Sequence, residues 1–104
     1  MNIVDTLKQA IEDNASDIFI VAGANISFKK AGVMYPVSCT PVTPTETRAL
    51  VEQIYQLSNG IQRSIQILEE NGEDDFSFSL NDFGRFRVNA YYQRGSMSAV
   101  LRVV

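Results

Sequence analysis

Two runs near the end of the chain, residues 85–93 and 96–103, alternate apolar and polar side chains in opposite phase. In the first run Phe86, Val88, Ala90 and Tyr92 are the apolar set, and in the second it is Met97, Ala99, Leu101 and Val103. A period of two places each set on one face of a strand. The change of phase is absorbed by a turn centred on Arg94-Gly95. Such a turn pairs Tyr92 with Met97, Ala90 with Ala99, Val88 with Leu101 and Phe86 with Val103. A slip of one residue would send a whole apolar set to the wrong face, so the register is strongly specified. The same register sets Arg87 directly opposite Arg102.

The preceding segment extends this meander. Phe76, Phe78 and Leu80 alternate with Asp75, Ser77 and Ser79, and "NDFG" turns the chain into the next strand. Further upstream, Ile3, Leu7, Ala10 and Ile11 recur at helical spacing within 2–14. "SDIFIVAG" at 16–23 is apolar on both parities, which predicts a central strand covered on both faces. Residues 26–37 read as a hairpin around Ala31-Gly32, with Pro36 limiting its second strand to an edge. "TPTE" at 43–46 is a helix start in which Thr43 caps, Pro44 takes the first helical position and Glu46 closes a capping box. Leu50, Val51, Ile54 and Leu57 form the buried stripe of that helix, and "SNG" at 58–60 ends it, with Gly60 as C-cap. A further helix is expected from Ile61 to Glu70. The order of helix, strands, two helices and a β meander predicts an α+β domain, mostly antiparallel sheet with helices packed on it.

Composition narrows the chemistry. At 104 residues and 45% hydrophobic the chain is one domain with material for a core. It has no histidine and a single cysteine, Cys39. The commonest general base, a clustered thiolate metal site and an internal disulfide are thereby removed, and no catalytic residue or metal ligand is assigned. "EENGEDDFSFSLND" lacks the spacing of a calcium loop. A net charge of −3 offers no general attraction to nucleic acid, although Tyr91 and Tyr92 lie near Arg94. No apolar run approaches the ~20 residues of a membrane span, and the amphipathic start is unlike a signal peptide, so a cytoplasmic location is expected. The sequence contains no GxxxxGK[ST] loop and no GxGxxG after a strand, so no nucleotide hydrolysis is expected of these residues by themselves.

Four of the nine basic residues, Arg85, Arg87, Arg94 and Arg102, fall within 84–104. Like charges facing each other on a ladder are destabilising unless something negative lies beside them. One reading supplies that negative charge internally, from Glu73, Asp74, Asp75 or Asp82, with Asp75 on the same face as the arginines. The other gives Arg87, Arg94 and Arg102 to a phosphate-bearing ligand, because planar guanidinium donors match phosphate oxygens two at a time. Spacing does not choose between them.

"GRFRVNAYYQRGSMSAVLRVV", with "GEDDFSFSL" before it, "ASDIFI" at 15–20 and "TPTETRALVEQI" at 43–54, resembles the N-terminal domain of PilT-type twitching-motility ATPases. These are type IV pilus retraction motors of the secretion-ATPase superfamily. The resemblance spans nearly the whole chain and is strongest in the final hairpin. It implies that 1–104 is a PAS-like module whose RecA-like core, with the Walker motifs, lies outside this chain. ATP and Mg are then expected in the full-length protein and no cofactor in this chain. The implied partners are the RecA-like core of the same or a neighbouring subunit, the other subunits of a homo-hexamer, and pilus base proteins at the inner face of the cell membrane. Arginines of this domain reach nucleotide in the family, which favours the phosphate reading for Arg87, Arg94 and Arg102, with Arg85 a weaker candidate. The chain departs from the family pattern at Phe19, where His is usual, and near Lys29-Lys30, where Arg is common. The expected function is a non-catalytic, arginine-contributing domain of a retraction motor. The rival expectation is a free-standing PAS-like sensor or scaffold that binds a small ligand in its core.

Overall fold

The structure, a computed structural model, describes residues 2–58 and 63–104. Helix α1 (Ile3–Glu12) starts at Asn2, whose side chain accepts a hydrogen bond from the Val4 amide. Strands β1 (Asp17–Ile20), β2 (Ser27–Lys30) and β3 (Val33–Pro36) follow. Helix α2 (Pro44–Leu57) carries the expected capping box: Thr43 Oγ1 accepts from the Glu46 amide and Glu46 Oε1 accepts from the Thr43 amide. Helix α3 (Gln66–Asn71) leads into the meander β4 (Glu73–Leu80), β5 (Gly84–Gln93) and β6 (Ser96–Val103). The helix expected over 61–70 is shorter in its described part, because 63–65 precede the first helical residue, Gln66. Gly60 and Ile61, assigned above to a cap and to an apolar stripe, lie outside the described residues.

All six strands form one antiparallel sheet in the order β3-β2-β1-β6-β5-β4. This is the α+β class expected from the element order. The β5–β6 register is the one that the alternation dictates, including Arg87 opposite Arg102. β3 lies at an edge, where the missing amide of Pro36 costs no ladder bond. The Ala31-Gly32 turn has φ of 50° and 80°, the left-handed pair that a two-residue hairpin loop needs.

One face of the sheet is the core. Ile18, Phe28, Phe86, Val88, Ala99 and Leu101 are fully shielded there, against Leu7 of α1, Leu50 and Ile54 of α2 and Leu68 of α3. α1 passes so close to β5 that a Cβ on Gly84 would stand 3.1 Å from Ile11 Cδ1, so a larger residue at the start of β5 would require the tip of the Ile11 side chain to give way. Asp74 shares the inward parity of Phe76 and Phe78 and is buried. Arg63 donates to both of its carboxylate oxygens, and Tyr55 Oη donates to Oδ2 at 2.8 Å. Arg63 also lies over the Phe76 ring, 5.7 Å from its centroid.

The opposite face of the sheet carries no helix among the described residues. This corrects the expectation that β1 is covered on both sides. Ile18 and Ile20 are buried, whereas Phe19 on the other parity is only half-buried, flanked by Ser27 and Val100 on neighbouring strands.

Candidate functional site

The open face holds a charged row that runs across four strands. Along it, Lys29 of β2 faces Asp17 of β1, Asp17 faces Arg102 of β6, and Arg102 faces Arg87 of β5. Asp75 of β4 lies one ladder step along, opposite Asn89. Each arginine is matched with its own carboxylate. Arg87 donates through Nε to Asp75 Oδ1 at 3.5 Å and through a terminal nitrogen to Oδ2 at 3.2 Å. Arg102 Nε is 3.6 Å from Asp17 Oδ1, and Asp17 is held from its other side by the Ser16 hydroxyl, which donates to Oδ2 at 2.7 Å. With Asn89 and Val100 these four charged residues line a shallow cleft of about 230 Å³. The hydrogen bond from Arg87 to Asp75, followed by the charge of Asp75, pushes the guanidinium pKa up, so Arg87 is a permanent cation.

The structure thus supplies the internal negative charge that the facing arginines call for. The internal carboxylate from β4 is Asp75, as the parity indicated, and not Asp74, which points inward. Asp17 was missed, because its pairing with Arg102 joins strands far apart in the chain. The side chain of Arg102 is 72% exposed and that of Arg87 65% exposed, so both are open to solvent.

Arg94 is not part of this cluster. It sits in the turn between β5 and β6, seven residues from Arg87 and eight from Arg102, or more than roughly 20 Å at strand rise, beside a cleft of about 280 Å³ lined by Gly23, Pro44, Gln93, Ser96 and Ser98. Ser98 Oγ is buried there without a hydrogen-bond partner. Arg94 and Gly95 have φ of 54° and 79°, a two-residue turn with left-handed backbone at both positions. Arginine is a poor residue for that conformation and asparagine a good one. Arg94→Asn is expected to raise stability by about 0.5–1 kcal/mol, read as a melting point higher by a few degrees. Arg85 is exposed at the sheet end, opposite Ser79 and outside both clefts.

The fold, an antiparallel sheet with helices on one face, is shared with the N-terminal regions of PilT and DotB ATPases. The crystal structure of the pilus retraction motor PilT with bound ADP superposes with a TM-score of 0.82 at 40% identity, over 98% of this chain and 29% of that one. The Legionella pneumophila ATPase DotB superposes with a TM-score of 0.73 over 100% of this chain and 29% of that one, but at 23% identity the likeness shows the fold alone. No family model matches the sequence. Among curated proteins, the type IV pilus ATPase PilU of Pseudomonas aeruginosa is 39% identical over 102 residues, 98% of this chain and 25% of PilU. The type IV pilus retraction ATPase PilT of the same organism is 33% identical over 104 residues, 100% of this chain and 29% of PilT. The chain is homologous to the type IV pilus ATPases PilU and PilT and corresponds to their N-terminal region. It spans 25% of the length of PilU and 29% of that of PilT.

Proposed function

We propose that this chain is the non-catalytic N-terminal domain of a hexameric type IV pilus retraction ATPase. In this reading it mediates subunit contacts and presents arginines to ATP and Mg bound on a RecA-like core, in the cytoplasm at the inner face of the membrane. The observation that carries the reading is the facing pair Arg87 and Arg102, exposed on a sheet face that no helix of the described chain covers. A surface of that kind has the donors for phosphate and the room for a second domain. The homology of this chain to the matching quarter of the pilus ATPases, and the ADP in the related PilT crystal, support the choice of nucleotide as ligand. Binding would draw the arginine strands toward the phosphates and turn the domain as a body, a hinge-type switch whose rotation works on the pilus base. Arg94, with a cleft of its own, would act at a separate contact.

The test is Arg87→Ala combined with Arg102→Ala in the full-length motor, with ATPase rate and pilus retraction as readouts. Unchanged kinetics in a folded protein overturns the phosphate role.

A further inference from the structure

We infer that Asp75 and Asp17 are internal stand-ins for the phosphate, so that a ligand gains Arg87 and Arg102 only by displacing these carboxylates. The inference rests on the phosphate reading of the arginine pair and adds to it a rule for which anions succeed. Asp75 meets Arg87 with two oxygens on two nitrogens of one guanidinium edge, the edge that a phosphate would use. Asp17 takes the Nε side of Arg102 and is fixed there by Ser16. The two grips are unequal. The Asp17 side chain is 15% exposed and anchored, whereas that of Asp75 is 53% exposed, with Arg87 as the partner that holds it. Asp75 is therefore the carboxylate that leaves first.

At rest the cleft is neutral, two arginines against two aspartates. Neutrality removes the repulsion between the facing arginines and gives a singly charged anion nothing that the carboxylates do not already supply. A polyphosphate chain brings several charges to both guanidiniums at once, and exposed ion pairs are weak enough for it to displace. The same carboxylates would thus protect an idle domain from chloride and carboxylate metabolites while leaving it open to a triphosphate.

The probe is inorganic tripolyphosphate, titrated into the 104-residue chain with the arginine Nε–H resonances followed by NMR. Asp75→Asn is expected to tighten binding about two- to five-fold, the range set by one exposed ion pair. Asp17→Asn is expected to act in the same direction. Glu70→Gln, on α3 across the sheet, makes the same change in net charge and is expected to leave affinity unaltered. Asp75→Asn changes an exposed side chain and keeps the fold, so it decides the matter even if Asp17→Asn fails to fold. Equal or weaker tripolyphosphate binding by Asp75→Asn, or an equal gain from Glu70→Gln, overturns the displacement inference. Arg87→Ala separates this from the underlying reading. If wild type and Arg87→Ala respond identically to tripolyphosphate, the arginine pair is not a phosphate site at all.

Discussion

Replacing Asp74 by alanine is expected to lower stability by about 2–4 kcal/mol and the melting point by roughly 10–20 °C. The loss is large because three groups are involved and two are stranded. Asp74 is the acceptor for the Tyr55 phenol and for both donors of Arg63, in a site where its side chain is 3% exposed. Without it, Tyr55 Oη keeps a buried donor with nothing to donate to, and Arg63 holds a charge beside Phe76. The Arg63 side chain is 32% exposed and can turn part of its guanidinium to water, which keeps the cost below that of a fully enclosed pair. Asp74→Asn retains an acceptor for Tyr55 and is expected to cost about half as much.

The same cluster fixes a pH dependence. Burial by itself pushes the Asp74 carboxyl up, but the hydrogen bonds from Arg63 and Tyr55 and the Arg63 charge outweigh it, and its pKa lies below the ordinary carboxylate value of 3.8. A depressed folded-state pKa contributes stability that is present above the unfolded value and lost as pH falls below about 4. The gap in denaturation midpoint between wild type and Asp74→Asn should therefore shrink between about pH 7 and pH 2.5. A constant gap would mean that the ion pair is not its source. Burial, then the bond to Asp74, pushes the Tyr55 phenol well up, so its contribution is full below pH 10 and fades in stronger alkali.

The position of Asp74 was readable and was passed over. In "EDDFSFSL" it has the parity of Phe76, Phe78 and Leu80, and a carboxylate on the inward parity of a strand is a signal of a buried pair. Its proximity to Asp75 and Glu73 instead grouped it with the solvent-facing acids. The β5–β6 register was legible because both strands are amphipathic and joined by two residues, so the pleat and the turn give the same answer. Arg87 opposite Arg102 followed at once.

Asp17 was not legible in that way. Its contact with Arg102 depends on β1 pairing with β6, a pairing of distant segments that no local pattern encodes. The apolar run around Phe19 misled for a related reason. Apolar residues on both parities usually mean two covered faces, but here the second face bears the charged row and is covered by nothing described in this chain. Val100, paired with the half-buried Phe19 on that face, gives the arginine cleft an apolar border.

The arginine pair is where the second large effect is expected. In the full-length motor, Arg87→Ala and Arg102→Ala should each weaken nucleotide binding or slow hydrolysis roughly ten- to a hundred-fold, the range for losing a charge-assisted hydrogen-bonded contact. The double variant should fall short of the product of the two, because both side chains face one anion across one ladder pair. Arg87→Lys separates charge from geometry. Lysine keeps the cation but not the planar fork, so a two-donor contact predicts a partial loss, whereas a pure field effect predicts almost none. Arg94→Ala, from a different cleft at the far end of β6, should combine multiplicatively with either. If Arg94→Ala instead reproduces the Arg87 defect and the double variant adds nothing, the two clefts serve one ligand, and the assignment of the phosphate to the Arg87–Arg102 pair alone is wrong.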